Sequence, residues 1–295
     1  MLSYSNGQFV PTDKLTLPVA SDTIGTFRGY RIFTACRTLG QKVFCLDDHI
    51  ERLFKSAKVI CMELPHSRDQ LRGIIEETVA KNKGSEPSQG DSEPKQDILL
   101  EIMYSGGQAA ANGVAPAGPA VLYVVVFPMK MPPLSWYQEG ITLASYPYQR
   151  QWPEVKLLNY IGAVIAHQTV VKKYGADEAL FISPDNRQTV LEGTTFNFFI
   201  VKDGVIITCP LVDGKILSGI TRKVALELGR QNGIPVKEDY FEFNDLKSAD
   251  EAFITSSTRN VVPVVKIDDI KIGDGRPGAI VRKLGEVFKD YQVSY

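Results

Sequence analysis

The chain has 295 residues, of which 44% are hydrophobic and 23% are charged. This composition is ordinary for a globular protein, and the length favours about two domains. Lys and Arg total 33 and Asp and Glu total 34, which gives a formal net charge of −1. The near balance removes the bulk electrostatic argument for a protein that binds nucleic acid or an anionic membrane.

The four cysteines and three histidines are scattered and lack the close spacing of a metal site, so we predict no metal. The cysteines fit free thiols in a reducing compartment. The first residues do not have the pattern of a signal peptide, which is a charged segment followed by an apolar one. The longest apolar run, Ala120 to Phe127, is far shorter than the ~20 residues of a membrane helix. We therefore expect a cytoplasmic protein.

The first elements alternate between strand and helix patterns. The apolar stretch from Arg31 to Leu46, broken at Gly40, predicts a hairpin. Asp47 and Asp48 follow as candidate N-caps for a helix.

A second helix is predicted from Arg68 to Lys83, with Gly84 as its stop. The polar segment Ser85 to Asp97 then predicts a mobile surface loop. Two apolar strands follow, ILLEIMYS and AVLYVVVF.

The segment Phe127 to Trp136 contains three prolines, which end a strand and stiffen a connection. We therefore predict a small N-terminal domain over residues 1–126, a linker over 127–136 and a larger C-terminal domain over 137–295.

Downstream, the pattern predicts a helix over about Asn159 to Tyr174 and then several strands, with a KDG hairpin turn in the last pair. A further helix begins near Thr221 and ends at Gly233, and a final amphipathic helix follows Pro277. The sequence GDGRPG near the C-terminus matches a dinucleotide-binding pattern, but only a short segment follows it, so we interpret it as a turn.

Lys156 lies in the stretch WPEVKLLNY, between apolar neighbours and four residues before Tyr160. Most lysines are solvated surface charges. Apolar neighbours disfavour the charged form, however, and an uncharged amine is what imine formation requires.

Glu192 ends the apolar strand TVLEG and precedes GTTFNFFIV. A glutamate at this point often only caps a turn. A buried carboxylate could instead face a ring nitrogen and keep a pyridinium protonated.

Three further features could hold an anion. Gly219 permits a tight turn before Ile220 and Thr221 open a helix, whose N–H groups and dipole favour negative charge. The hydroxyl-rich turn TSSTRN follows a strand and could supply further donors. Arg52 lies on a helix beside apolar positions, where arginine favours a phosphate or carboxylate partner.

Five features, taken in chain order, resemble the fold-type IV, or class IV, pyridoxal-phosphate (PLP) aminotransferases. They are HIERL, the Lys156–Tyr160 pair, EGTTFNFFIVKDG, ILSGITR and the Ser/Thr turn. This family includes branched-chain and D-amino-acid aminotransferases, amine transaminases and aminodeoxychorismate lyase. The resemblance covers nearly the whole chain, from about Gly25 to the C-terminal helix.

The resemblance implies a role for each matching residue. Lys156 would hold PLP as a Schiff base and then move a proton between substrate and cofactor. Tyr160 would bond the phenolate oxygen, and Glu192 would pair with the pyridine nitrogen. The remaining cofactor-binding candidates would hold the phosphate (Arg52, Ile220, Thr221, Ser257, Thr258), pack on the ring (Leu217) or support the Glu192 turn (Asn197).

Substrate contacts are less determined. Neither the Arg and His of typical D-amino-acid enzymes nor the GxFEGxR pattern of branched-chain enzymes is present. The stretch FRGYRIFTACR instead resembles a less typical D-amino-acid subgroup in which an arginine at the Arg28 position binds the substrate carboxylate. That subgroup often has a second arginine on the strand before the first glycine loop, about where this chain has Glu101. Arg28, Arg31 and Phe33 are the candidate substrate contacts.

By the same resemblance we expect an α/β (α+β) fold of two domains, a small α/β sandwich and a larger barrel-like domain with helices. The site would lie between the domains and be completed by the partner in a homodimer. The substrates would be an amino acid, either a D-amino acid or a branched-chain one, and a 2-oxo acid. Alternatives are the lyase chemistry of aminodeoxychorismate cleavage, an (R)-amine transaminase, or a PLP-binding protein without turnover.

Overall fold

The computed structural model describes residues 1–40, 42–82 and 97–295. They form two compact units. The first comprises Met1–Lys130 and Val155–Asn159, and the second comprises Met131–Glu154 and Tyr160–Tyr295. The predicted domain boundaries at 126 and 137 stay a prediction, and the sequence did not indicate that Val155–Asn159 belongs to the first unit.

The described residues of the first unit form one antiparallel sheet of six strands in the order β2-β1-β6-β5-β3-β4. Its strands are β1 (Leu2–Ser5), β2 (Gln8–Pro11), β3 (Arg31–Leu39), β4 (Lys42–Val43), β5 (Ile98–Ser105) and β6 (Val121–Pro128). Its helices are α1 (Thr23–Arg28), α2 (Leu46–Val59) and α3 (Arg68–Lys81), and a 3-10 turn covers Thr12–Lys14.

One face of this sheet forms the core of the unit. Alternate side chains of a strand point to opposite faces. On β5, Leu100, Ile102 and Tyr104 are fully buried and belong to one cluster with the apolar residues of α2 and α3. The opposite face carries Phe33 and Glu101, since Phe33 pairs with Met103 and Ala35 pairs with Glu101 across the two strands. Phe33 and Met103 on this opposite face are buried as well.

The structure confirms most of the predicted elements of this unit. The hairpin of β3 and β4 turns at Gly40, whose φ of +62° lies in the left-handed region that glycine favours. The predicted N-caps of α2 are wrong, because Cys45 is the N-cap and Asp47 and Asp48 lie in the first turn. There their charges still favour the helix dipole.

The helix predicted from Arg68 ends at Lys81. The proposed stop at Gly84 lies outside the described residues, as does the predicted loop Ser85–Asp97 except for Asp97.

The second unit contains a sheet of nine strands with helices around it. The strands are β7 (Ile141–Pro147), β8 (Glu178–Ile182), β9 (Val190–Gly193), β10 (Asn197–Lys202), β11 (Val205–Thr208), β12 (Val236–Glu238), β13 (Glu251–Ser256), β14 (Asn260–Ile267) and β15 (Ile270–Lys271). The helices are α4 (Leu134–Gln138), α5 (Ile161–Ala166), α6 (Lys172–Tyr174), α7 (Ile220–Gln231) and α8 (Ala279–Val293), and a 3-10 helix covers Phe243–Ser248.

Six of these strands close into a barrel. The path β10-β13-β14-β7-β8-β9 returns to its start because β9 also pairs with β10, at Glu192 and Asn197. Closure removes the free edges that an open sheet would expose. The barrel-like sheet predicted for this part of the chain is confirmed.

The helix predicted over Asn159 to Tyr174 is present but irregular. A π-helical turn, His167–Val171, separates α5 from α6. The helix predicted near Thr221 is α7, and Gly233 follows it at φ +72° as expected. The GDGRPG segment forms a turn before α8. Within the described residues, no helix has both the length and the apolar character needed to span a membrane.

Candidate active site

Lys156 is fixed by backbone hydrogen bonds along the edge of β3. The N–H of Phe33 donates to the carbonyl of Lys156 at 3.0 Å, and the N–H of Leu158 donates to the carbonyl of Arg31 at 3.0 Å. The N–H of Lys156 donates to Ser56 Oγ at 3.3 Å. This pairing explains why the short segment belongs to the first unit.

The side chain of Lys156 lies on an aromatic surface. Its Nζ is 4.6 Å from the centroid of the Phe33 ring. The neighbours Val155 and Leu157 pack into the core of the unit. Lys156 is therefore half-buried with apolar residues on both sides in the sequence, and the face of the Phe33 ring stabilises its positive charge.

Arg52 begins a buried polar chain beside Lys156. Its Nη2 donates to Thr34 Oγ1 at 2.7 Å, and this hydroxyl lies 2.7 Å from Nδ1 of His49. Burial holds the pKa of His49 well below its usual value, and the cations Arg52 and Lys156 lower it further. His49 is therefore neutral, and its Nδ1 shares a hydrogen bond with the Thr34 hydroxyl.

Glu101 lies on the same face of the sheet as Phe33. Burial raises its pKa, and the positive charge of Lys156 opposes that increase. Glu101 thus lies in the electrostatic field of Lys156.

The two arginines predicted to contact substrate differ in environment. Arg31 donates from Nη2 to the buried carboxylate of Asp22 at 2.6 Å and from Nε to Ser105 Oγ at 2.8 Å. Arg28 is exposed at the end of α1, where its Nη1 donates to the carbonyl of Phe27 at 3.2 Å. Arg31 is therefore committed to a contact within the unit, whereas Arg28 faces solvent.

Glu192 is the centre of the candidate site in the second unit. Its carboxylate is only 5% exposed. Arg150 donates to Oε1 from Nε at 2.8 Å and from Nη2 at 2.7 Å. The N–H of Leu217 donates to Oε2 at 3.1 Å, and Asn197 Nδ2 lies at 3.5 Å. Because the Asn197 contact is long, Oε2 can accept a further N–H.

Strand register aligns three polar side chains across the barrel. Glu192 on β9 pairs with Asn197 on β10, and Asn197 pairs with Thr255 on β13. Asn197 also donates to the carbonyl of Leu217 at 2.9 Å, which fixes the loop before α7. A Cβ on Gly219 would lie 1.9 Å from Asn197 Oδ1, so this loop requires glycine there.

A candidate anion seat lies beside this row. Helix α7 begins at Ile220 without a side-chain N-cap, and it packs against β13. At the end of β13, the hydroxyl oxygens of Thr255 and Ser256 are buried and have no hydrogen-bond partner among the described residues. Buried hydroxyls beside a helix N-terminus suit a phosphate group.

The other predicted residues lie in the same unit. Ser257 and Thr258 form the half-buried turn after β13, and Ile220 and Thr221 open α7. Leu217 is buried in the loop held by Asn197. Tyr160 precedes α5 and packs against a cluster that contains Phe181.

Several polar residues of these groups were not predicted. His49 lies in the HIERL motif but carried no predicted role, and Thr255 and Ser256 are predicted only as part of a turn. Arg150 pairs with a residue 42 positions away, so no spacing could reveal it. The one available signal is an arginine within the aromatic stretch YPYQRQW, shortly before Lys156. In residues 1–40, 42–82 and 97–295, no group of His, Cys, Asp and Glu side chains is arranged to hold a metal ion.

Comparison with known proteins gives the family. Residues 31–267 match the family model of the class IV amino-transferases. A Methanocaldococcus jannaschii protein, provisionally assigned as a branched-chain-amino-acid aminotransferase, is 33% identical over 100% of this chain and 98% of its own length. The D-alanine aminotransferase of Staphylococcus haemolyticus is 32% identical over 98% of this chain and 96% of its own length.

A solved structure agrees with these relatives. The branched-chain amino acid aminotransferase of T.th., complexed with N-(5'-phosphopyridoxyl)-L-glutamate, aligns with a TM-score of 0.84 at 27% identity. The alignment covers 99% of this chain and 94% of that one. The chain therefore belongs to the class IV aminotransferases and is a PLP-dependent transaminase.

Proposed function

We propose that the chain transfers an amino group between a 2-oxo acid and either a D-amino acid or a branched-chain amino acid, with Lys156 and Glu192 as its principal catalytic residues. The names of the relatives support both substrate classes. The observation that supports the proposal most is the buried Glu192 carboxylate, which is charge-compensated by Arg150 and still able to accept an N–H.

The residues present fit PLP. The buried hydroxyls of Thr255 and Ser256, without partners among the described residues, lie next to the turn that would bind the phosphate. The phosphate would be held by the residues that the resemblance indicates (Arg52, Ile220, Thr221, Ser257, Thr258), and Leu217 would pack on the ring. Bound PLP supplies an electron-poor ring that takes up the electron pair released when a bond to the substrate Cα breaks.

Glu192 would hold a proton at the pyridine nitrogen. A carboxylate that accepts this N–H keeps the ring positively charged, and Arg150 on the other oxygen keeps the carboxylate oriented. Asn197 supports this geometry through its bond to the Leu217 carbonyl, and Tyr160 would donate its hydroxyl proton to the phenolate oxygen of PLP.

Lys156 would move a proton between the Cα of the substrate and C4′ of PLP. Its backbone pairing with β3 fixes the origin of the side chain, and Phe33 limits where the amine can go. Since His49 is neutral, it adds no further positive charge beside the amine.

Among the substrate candidates, we propose that Arg28 binds the substrate carboxylate and that Phe33 contacts the substrate. Arg28 is exposed, whereas the guanidinium of Arg31 is used by Asp22 and Ser105. Arg31 then has the role of holding α1 and β3 together.

We also propose a homodimer in the cytoplasm. Ile161, Val164 and Ile165 are exposed on one face of α5, and an apolar patch of this kind marks a surface that binds another protein. The cysteines of the described residues are free thiols, which fits a reducing compartment.

Replacing Lys156 with alanine should abolish transamination without unfolding the chain. We expect the rate at which a donor amino acid changes the PLP absorbance to fall by about 10²–10⁴-fold or more, because no other group takes over the proton transfer. Lys81→Ala is the matched control, since its Nζ lies 4.7 Å over the Phe9 ring in the same unit. A Lys156→Ala half-reaction within tenfold of the wild type would contradict the proposal.

Arg28 and Arg31 should respond differently to replacement by methionine. Arg28→Met should raise KM for amino acids by about tenfold while leaving KM for a primary amine without a carboxylate unchanged, because only the carboxylate contact is lost. Arg31→Met should cost about 3 kcal/mol of unfolding free energy, because Asp22 stays buried without its cation. Steady-state kinetics and urea unfolding measure the two effects. Equal effects of Arg28→Met on amino acid and amine would exclude its role.

His49 should make the protein less stable in mild acid. Its folded pKa lies well below the usual value, so the unfolded chain takes up a proton below about pH 6.5 that the folded chain does not bind. The unfolding free energy should therefore decrease by up to ~1.4 kcal/mol per pH unit below that point. His49→Gln, whose amide oxygen can accept the Thr34 hydroxyl, should have a shallower slope in urea unfolding between about pH 7.5 and 5. Parallel slopes for the two proteins would show that His49 is not the group responsible.

A further inference from the structure

A second buried carboxylate of the barrel has no place in the chemistry described above. Glu178 is the first residue of β8 and is only 4% exposed. A buried carboxylate is costly unless several donors compensate it. Glu178 has three such partners, and they come from three separate parts of the second unit.

One oxygen of Glu178 is fixed to the barrel wall. Oε2 accepts the hydroxyl of Thr194 at 2.7 Å and is bonded by Nε2 of His167 at 2.9 Å. Thr194 follows β9 directly, and His167 begins the π-helical turn. These two contacts hold the carboxylate in one orientation, with Oε1 turned away from them.

The other oxygen holds Arg259. Oε1 lies 2.6 Å from Nη2 of Arg259, and the guanidinium lies 5.6 Å from the centroid of the Trp136 ring. Nη1 of this guanidinium is buried and has no hydrogen-bond partner among the described residues. The ion pair with Glu178 is therefore the main polar contact that fixes this side chain.

Arg259 is the last residue of the turn that carries Ser257 and Thr258. Its N–H donates to the carbonyl of Ser256 at 3.2 Å, which closes a four-residue turn with Ser257 and Thr258 in the centre. Its carbonyl accepts the hydroxyl of Tyr137 at 2.9 Å. Side chain and backbone of Arg259 are thus both anchored, and the two central hydroxyl residues take their position from it.

We propose that Glu178 is a positioning residue for the phosphate of the cofactor, acting through Arg259 on the Ser257–Thr258 turn. The inference rests on the proposed function in one respect, the assignment of Ser257 and Thr258 as phosphate contacts. Glu178 itself touches neither substrate nor cofactor. Its effect is to hold the donors of the turn in place before the phosphate arrives, which reduces the ordering cost of binding.

The test compares ligands with and without a phosphate. The full-length chain is stripped of PLP, and the dissociation constants of PLP, pyridoxal and inorganic phosphate are measured by absorbance titration and by competition. For Glu178→Gln we expect Kd for PLP and for inorganic phosphate to rise on the order of tenfold, the lower end of what losing an orienting partner costs at bound ions. Kd for pyridoxal should change by less than about twofold, because it lacks the phosphate.

Two further variants separate positioning from stability. Glu251→Gln makes the same substitution in a carboxylate that accepts the N–H groups of Ile280 and Val281 at the start of α8. It should lower the melting temperature and leave the ratio of PLP to pyridoxal affinity unchanged. The double variant Glu178→Gln with Arg259→Gln leaves no unpaired buried charge, so it should fold, and it should show the same loss of phosphate affinity as Glu178→Gln alone.

Three results would overturn the inference. Glu178→Gln and the double variant could leave the affinities for PLP and phosphate unchanged, or they could weaken PLP and pyridoxal equally, which would indicate a general effect on the fold. A wild-type chain that binds pyridoxal as tightly as PLP would instead remove the phosphate seat of the proposed function, and the role of Glu178 with it.

Discussion

The candidate chemistry of the second unit depends on one pairing between two strands. Where β9 meets β10, Glu192 lies opposite Asn197, and this contact closes the barrel. Side chains alternate between the two faces of a strand, so a shift of one residue in either strand would turn Glu192 or Asn197 to the other face. The same register places Thr255 beside Asn197, next to the anion seat. The pairing of β9 with β10 therefore both closes the barrel and fixes the position of the Glu192 carboxylate.

The sequence predicted the regular elements well because they depend on local periodicity. Gly40 marks the turn of the hairpin of β3 and β4, and Gly233 marks the end of helix α7. The N-cap of α2 was missed because Cys45 adopts φ +51°, a conformation that its residue type does not suggest. The π-helical turn was missed because no local pattern in His167–Val171 indicates it.

The site could be predicted only as far as the family motifs reach. They indicate Lys156, Glu192 and Asn197 as candidates, but they do not distinguish between Arg28 and Arg31. The two arginines differ in environment because Arg31 pairs with the buried carboxylate of Asp22, a contact that no motif records. The contact between Arg150 and Glu192 joins distant segments of the chain. The neutral state of His49 follows mainly from its burial, which the motif does not show.

A common arrangement recurs at the buried carboxylates. Glu192 and Glu178 each bond an arginine through Oε1 and uncharged or weakly basic donors through Oε2. Asp22 likewise combines Arg31 with the Ser105 hydroxyl and the Gly107 N–H. Such pairs contribute little net stability, because desolvation offsets much of the attraction. Their more direct effect is geometric, since an arginine on one side and a neutral donor on the other fix a carboxylate in both direction and rotation. An enzyme that must bind PLP in one orientation needs that kind of precision more than it needs further stability.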